Sequence, residues 1–183
     1  TNTDEGRATK GAAQGLLAKV KLTSGDHAGA ATLLASLVAD TDYALQADYN
    51  DVFYNEMNSE ILFAIPYIDD NEIEAQDFSF EMTNAGAVSG LNFGTDELIA
   101  SIDAADTERS EVIFNLSSAF PEEPGKFLTA SDNVRFCGND WIVLRLADVY
   151  LMQVEAIMAG NESTQSLTAI AAYNMVRDRA GMP

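Results

Sequence analysis

Apolar side chains recur every three or four residues in two stretches, one near each end of the chain. Near the C-terminal end these positions are Leu144, Ala147, Leu151, Val154 and Met158. This spacing places them on one face of an α-helix, and Gly160 is expected to end that helix. A second helix is expected from Thr164 to Ala180. The short link between them predicts an antiparallel hairpin over about residues 143–180.

The N-terminal stretch has the same design. Helices are expected over Thr9–Thr23 and Ala28–Ala39, with Gly25 ending the first and Asp26 capping the second. The predicted inward face of the first helix comprises Ala13, Leu16, Leu17, Val20 and Leu22. That of the last helix of the chain comprises Leu167, Ile170, Ala171 and Val176. The hairpins at about 9–40 and 143–180 predict a mainly α chain with tetratricopeptide-like helical hairpins. Two generic hairpins in one core are the alternative.

Residues 43–140 do not continue this periodicity and predict a long irregular insert with a few short strands. Glu60 to Ile65 is a short apolar run that stops before Pro66, as a β-strand would. Tyr49 to Tyr54 predicts a short helical piece, and Thr95 is expected to cap another. The 183 residues are expected to form a single domain, because this length can bury a substantial core.

The loop from Tyr67 to Phe93 mixes aromatic and polar side chains. A sugar-binding surface needs both, because flat apolar faces pack against C–H groups while polar groups bond to hydroxyls. The candidate glycan-binding residues are Tyr67, Phe78, Phe80, Asp69 and Asn71. For the two phenylalanines there is an alternative: residues two apart share one face of a strand, so both would anchor the loop to the core.

A second hypothesis for this loop is a calcium site at Asp69, Asp70 and Glu72. Calcium favours several oxygen ligands, but the EF-hand spacing is absent. A solvated acidic turn is the favoured alternative, and otherwise no cofactor or metal is expected.

The net charge and its distribution along the chain disfavour some classes of binding partner. The formal net charge is −19, and the span from Leu22 to Glu108 holds no Lys or Arg but eighteen Asp and Glu. Nucleic acid and anionic lipid are both disfavoured as partners, since each requires a basic footprint. The simplest interpretation is a solvated acidic face.

The sequence gives little support for catalysis. The only histidine, His27, lies at an expected helix start, and no nucleophile elbow or phosphate-binding loop is present. The single cysteine, Cys137, is interpreted as a small packing residue. We therefore expect that the protein is not an enzyme.

Several charged or amide side chains near the C-terminal end are expected to have structural roles, namely Arg145, Asp148, Glu155, Asn174 and Arg177. Arg145 and Asp148 would pair along one helix, and Glu155 would meet Arg177 across the hairpin. Asn174 would be a buried, hydrogen-bonded amide. Arg177→Ala is accordingly expected to lower the melting temperature without abolishing ligand binding, and an unchanged melting temperature would contradict this role.

Five segments, in order along the chain, resemble the SusD/RagB family: Gly6–Ala13, Ser59–Phe63, Asp106–Arg109, Leu144–Met152 and Asn174–Gly181. The third departs from the family's Asp-x-Arg-Arg element at Glu108. Members of the family are outer-membrane lipoproteins of Bacteroidota that capture glycans beside a TonB-dependent transporter.

The resemblance implies non-catalytic binding of a polysaccharide or oligosaccharide at the bacterial cell surface, for delivery to such a transporter. It also implies that the chain is a fragment lacking the signal peptide, the lipid-bearing cysteine, an N-terminal helical region and a C-terminal extension. A membrane contact would then occur only through the lipid anchor. A helical-repeat adaptor that binds protein without sugar is the main alternative, and an enzyme acting on glycans is the third.

Overall fold

The structure is a computed structural model that describes residues 7–83, 92–116, 119–120, 122–161 and 167–182. In chain order its elements are α1 (Lys10–Thr23), α2 (His27–Val38), α3 (Asp51–Tyr54), β1 (Ile61–Ile65), α4 (Phe78–Met82), α5 (Asp96–Ala100), α6 (Thr107–Ile113), a 3-10 turn (Gly125–Phe127), β2 (Trp141–Arg145), α7 (Leu146–Asn161) and α8 (Leu167–Arg179). The predicted mainly α class with a small amount of strand is confirmed. Whether the hairpins are tetratricopeptide-like stays a prediction. Within the described ranges, no helix combines the length and the hydropathy needed to cross a membrane.

Local signals define the first hairpin as the sequence predicts. The hydroxyl of Thr9 accepts a hydrogen bond from the backbone N–H of Ala12 at the start of α1. Gly25 follows the end of α1 with φ of +83°, a conformation that glycine adopts without steric cost. The Asp26 side chain accepts from the backbone N–H of Gly29 at 2.9 Å and caps α2.

The second hairpin starts later than predicted. Residues from Trp141 to Arg145 form strand β2, which pairs antiparallel with β1, and α7 begins only at Leu146. Apolar residues occur on both sides of Arg145, in the strand and in the helix, so periodicity alone merged the two elements. Gly160 lies inside α7 and does not end it, which corrects the predicted cap. The predicted start of the next helix at Thr164 lies outside the described residues.

The main core is built by the four long helices and the inner face of the sheet. Helix α2 packs against both α1 and α7, and α7 packs against α8. The sheet contributes Leu62 and Leu144 to this core. Ile61, Ala64 and Ile142 of the sheet belong to a smaller core with residues of α3 and α6. The two strands therefore join the helical body to the middle of the chain.

The inward faces of the two outer helices differ from the prediction. Helix α1 buries Gly11, Ala12, Gly15, Ala18 and Leu22, whereas the expected Ala13, Leu16, Leu17 and Val20 are exposed. Helix α8 buries Ala169 and Ala172, and Ala180 directly after it is also buried, whereas Leu167, Ile170 and Ala171 are exposed. Val176 is the exception, because it packs against the core as predicted. Small residues permit the backbones to approach closely, and this outweighs the burial of larger side chains.

Gly15 lies at such a close approach. A Cβ atom added there would be 2.4 Å from Cδ2 of Leu144, which is fully buried. Gly15→Ala is expected to lower the free energy of unfolding by about 1 kcal/mol, since overpacking outweighs the gain in helix propensity. Chemical denaturation would measure the change. In a Leu144→Ala background the same substitution should no longer destabilise, and an equal cost in both backgrounds would refute the contact.

A buried ion cluster fastens the C-terminal end of α8 to the sheet. Glu60 precedes β1 and is 0% exposed. Its Oε1 lies 2.7 Å from Nη1 of Arg145, and its Oε2 lies 2.7 Å from Nη1 of Arg179. The backbone N–H of Gln46 donates to the same carboxylate at 2.9 Å. Residues from four distant parts of the chain therefore meet at one buried anion.

This cluster changes the roles predicted for the polar residues. Arg145 belongs to β2 and not to the helix, so its guanidinium binds Glu60, while its backbone N–H donates to Asp148 at 3.2 Å. Asn174 is exposed on α8, so its prediction as a buried amide is wrong. Arg177 donates to the hydroxyl of Tyr173 at 3.4 Å, and its pairing with the exposed Glu155 stays a prediction.

Candidate functional site

The candidate site lies at the end of the sheet opposite the buried ion cluster. Strand β1 ends and β2 begins there, with Ile65 paired to Trp141. Two residues beyond β1, the backbone N–H of Tyr67 donates to Oδ1 of Asp140 at 3.1 Å. The antiparallel register therefore places Tyr67, Asp140 and Trp141 side by side, although 73 residues separate the first two in sequence.

Four aromatic rings cluster at this end of the sheet. The ring of Phe78 makes edge-to-face contacts with Tyr67, Phe127 and Trp141, with centroid distances of 5.9, 5.6 and 5.0 Å. The rings of Phe127 and Trp141 are nearly parallel, at an interplanar angle of 12° and a centroid distance of 6.3 Å. Such contacts hold the rings in fixed orientations. Trp141 itself remains 41% exposed.

A cavity of about 130 Å³ opens beside these rings. Its apolar wall consists of Phe53, Phe127, Trp141 and Ile142, and its polar groups belong to Lys126, Asn139 and Asp140. We call this the Trp141 pocket. An apolar wall with a few placed polar groups is the usual composition of a small-molecule site. The volume is small, so the pocket has room for one sugar ring or part of one.

Asn139 is held in place by its neighbours. Its Oδ1 accepts from the hydroxyl of Ser79 at 3.0 Å, and its Nδ2 donates to the carbonyl of Leu128 at 2.9 Å. These bonds connect α4 and the segment after the 3-10 turn to the start of β2. The Asn139 side chain of the pocket is therefore fixed by contacts within the protein.

Burial changes the acid–base properties of the pocket. It raises the pKa of the Asp140 carboxyl above its ordinary value, and the hydrogen bond from Tyr67 offsets only part of this. Burial also lowers the pKa of the Lys126 ammonium, with a smaller contribution from the charge of Arg145. The Lys126 Nζ lies 5.0 Å from the centroid of the Phe127 ring, within cation–π range. The pocket thus holds one acidic and one basic group at its apolar wall.

The raised pKa of Asp140 predicts how pH affects stability. The folded protein binds the Asp140 proton more tightly than the unfolded chain does. Ionisation of Asp140 therefore disfavours folding above the folded-state pKa, and this penalty disappears as pH falls to the ordinary carboxyl range. Asp140→Asn, which keeps Oδ1, should be more stable than the wild type at pH 7. This advantage should shrink as pH falls through that window in thermal melts, and a constant difference would contradict the assignment.

Asp69 and Asp70 fasten the two loops that border the site. Oδ1 of Asp69 accepts from the backbone N–H of Gly138 at 2.5 Å. The Asp70 carboxylate accepts from the hydroxyl of Ser131 and from the backbone N–H groups of Asp132 and Asn133. These bonds lower the pKa of Asp70. Both carboxylates therefore position the 129–138 segment from which β2 emerges.

The proposed calcium ligands have not been brought into a metal-binding arrangement. Within the described part of the chain, no group of three or more His, Cys, Asp or Glu is placed to hold an ion. Asp69 and Asp70 already accept N–H and O–H donors, and Glu72 is exposed. Calcium at Asp69, Asp70 and Glu72 stays a hypothesis.

The predicted ligand-binding residues divide into three groups. Tyr67 and Phe78 join the aromatic cluster of the site. Phe80 is buried, with the Arg135 guanidinium 4.1 Å from its ring centroid, and it anchors α4 to the body. The two phenylalanines belong to a helix, so the expected strand with both on one face is wrong. Asn71 accepts from the backbone N–H groups of Ile73 and Glu74 and stabilises a turn.

Sequence reasoning missed the residues on the other side of the pocket. Phe127, Lys126 and Trp141 lie 33 or more residues beyond the loop from Tyr67 to Phe93 that contains the predicted binding residues. One available signal was Trp141, the only tryptophan in the chain, directly after Asn139 and Asp140. A second signal was a basic residue followed directly by an aromatic one, at Lys126 and Phe127.

A family model and a curated protein both match this chain. Residues 124–183 match the model of the SusD family. A SusD-like protein of Bacteroides ovatus is 27% identical over an alignment that covers 97% of this chain and 40% of that protein. The chain therefore spans less than half the length of this curated relative.

Solved structures show the same fold. Surface glycan-binding protein A of Bacteroides fluxus superimposes with a TM-score of 0.79 at 18% identity, over 100% of this chain and 47% of that one. The corresponding protein of Bacteroides thetaiotaomicron, solved with laminarihexaose, gives 0.72 at 18% identity, over 97% and 48%. A SusD superfamily protein from Parabacteroides distasonis gives 0.76 at 22% identity, over 97% and 45%. The family match over residues 124–183 and the shared fold along the chain confirm the predicted resemblance to the SusD family.

Proposed function

We propose that this chain binds a polysaccharide or oligosaccharide at a bacterial cell surface without catalysing its breakdown, and that the Trp141 pocket is the binding site. The observation that carries the proposal is the exposed ring of Trp141 beside the polar groups of Asp140 and Lys126. A sugar face can stack on the indole while its hydroxyls reach the carboxylate and the ammonium.

The geometry supports binding by a site that is already formed. Phe78 and Phe127 fix the orientation of the indole ring, and Asn139 is held by two hydrogen bonds. A ligand then loses little affinity to ordering the site, since the side chains are in place beforehand. Oδ1 of Asp140 accepts from Tyr67, and a carboxylate has a second oxygen that can accept a sugar hydroxyl.

The known proteins of the same fold support glycan as the ligand class. One is a laminarin-binding SusD-like protein, with a TM-score of 0.73 over 100% of this chain and 50% of that one. Another is the surface glycan-binding protein solved with laminarihexaose. By extension, we propose that the full-length protein is a lipoprotein of the outer membrane and delivers its glycan to a TonB-dependent transporter.

Binding can be tested with the chain as it stands. Affinity electrophoresis in gels containing laminarin, xylan, mannan or polygalacturonate should show retarded migration in at least one gel. Trp141→Ala should migrate in that gel as it does without polysaccharide. Unretarded migration of the wild type in every gel, together with no binding to a broad glycan array, would refute the proposal.

A protein-binding adaptor is the second candidate function. It is favoured by the apolar side chains exposed on the outer helices, Leu16, Leu17 and Val20 on α1 and Leu167 and Ile170 on α8. Apolar faces at both ends of a helical array are sites where further helices pack. Capture of a protein partner that is lost in Leu17→Ser, with no retention on any glycan, would favour this function.

A further inference from the structure

The charges around the Trp141 pocket point to the class of glycan that it accepts. We infer that the ligand is a neutral glycan, without uronate or sulfate groups. This inference rests on the proposed function and adds the chemical class of the ligand.

Carboxylates lie in and near the pocket. Asp140 lines the cavity, and the carboxylates of Asp140 and Asp69 both raise the pKa of nearby Glu56, after the larger effect of burial. Asp69 is itself bonded to Gly138, two residues before Asp140. Asp140 therefore lines a cavity of about 130 Å³, and the carboxylates of Asp69 and Glu56 lie near Asp140. A polymer too large for the cavity must pass near these carboxylates.

Basic side chains near the pocket offer little to an anion. Lys126 is the basic residue of the described cavity lining, and burial disfavours its charged form. Arg135 lies 3.7 Å from the carboxylate of Asp77, and Arg145 lies 2.7 Å from that of Glu60. Both guanidinium groups thus already face an anion of the protein.

The elements that approach the pocket from the N-terminal half of the chain add no further cation. Helix α3, strand β1, the loop after it and α4 all fall within the span from Leu22 to Glu108, which has no Lys or Arg. A polyuronate carries one negative charge on each sugar, so each unit beyond the pocket would lie near carboxylates with few cations. Like-charge contact of this kind discriminates against a ligand strongly.

A neutral sugar suits the same groups. Its C–H face can stack on Trp141, and its hydroxyls both donate to Asp140 and accept from Lys126. One acid and one base in the pocket provide both kinds of hydrogen bond without requiring a charged ligand.

The test compares neutral and anionic probes of equal length on the wild-type chain. Laminarihexaose and the six-unit oligomers of xylose and mannose serve as neutral probes, and hexagalacturonate and a sulfated hexasaccharide serve as anionic probes. We expect at least one neutral probe to bind about ten-fold or more tightly than either anionic probe. Raising the salt concentration should leave the neutral affinity unchanged and should strengthen the residual anionic binding, because screening weakens repulsion.

The direction of the salt effect separates the outcomes. Tight binding of an anionic probe that weakens with salt and is lost in Trp141→Ala would overturn the neutral class and leave glycan binding at the pocket intact. Binding of none of the probes, and of no glycan on a broad array, would overturn both proposals. Glu56→Gln provides a matched control, since it should improve anionic binding and leave neutral binding unchanged.

Discussion

Replacing Trp141 with alanine is expected to weaken glycan binding about thirty-fold, which corresponds to about 2 kcal/mol for an anchoring aromatic residue. The indole supplies the exposed flat face of the pocket, and Phe78 and Phe127 hold its orientation. Truncation removes both the stacking surface and the wall of the cavity. Isothermal titration calorimetry with the glycan that retards the wild type would measure the loss.

Two controls separate binding from folding in this experiment. Tyr173→Ala removes an aromatic side chain of similar exposure on α8, outside the lining of the pocket, and should bind the glycan as the wild type does. Trp141→Phe keeps an aromatic face and should retain part of the affinity. If Trp141→Ala is folded by circular dichroism and binds normally, the site is not at this pocket.

Glu60→Gln is expected to lower the free energy of unfolding by about 3 kcal/mol, because it leaves the buried charge of Arg179 without its counter-ion. The Arg179 side chain is only 6% exposed, so water cannot replace the carboxylate. For a chain of this length the melting temperature should fall by roughly 10 °C. The loss should be global, because Glu60 connects α8 to both strands.

A double-mutant cycle tests whether the charge pair is the cause. Arg179→Met removes the buried cation, so Glu60→Gln should cost much less in that background. Glu155→Gln, on the exposed side of α7, serves as the matched control and should change stability by less than about 0.5 kcal/mol. Equal costs of Glu60→Gln in both backgrounds would show that Arg179 is not its essential partner.

The sequence predicted those parts of the fold that are formed by residues close together along the chain. The cap at Asp26 and the turn at Gly25 are formed by groups within four residues of each other. Strand β1 was bounded by Pro66, which cannot donate a backbone hydrogen bond. The inward faces of α1 and α8 were not predictable in this way, because the helices bury small residues that meet closely packed neighbours.

The site was predicted on one side only. Tyr67 and Phe78 were found because they share a loop with polar side chains. Trp141 and Phe127 reach the same pocket through the antiparallel pairing of β1 and β2, and this pairing was missed when β2 was predicted as helix. The role of Glu60 was missed for the same reason, since its partners Arg145 and Arg179 are 85 and 119 residues away.

Trp141 is the only tryptophan, so its fluorescence reports on the proposed site without any label. Titration of the chain with a glycan that it retains should change the emission of Trp141 in a saturable manner, with the same dissociation constant as calorimetry gives. Calorimetric binding with an emission spectrum that does not change would place the glycan elsewhere and contradict the assignment of the pocket.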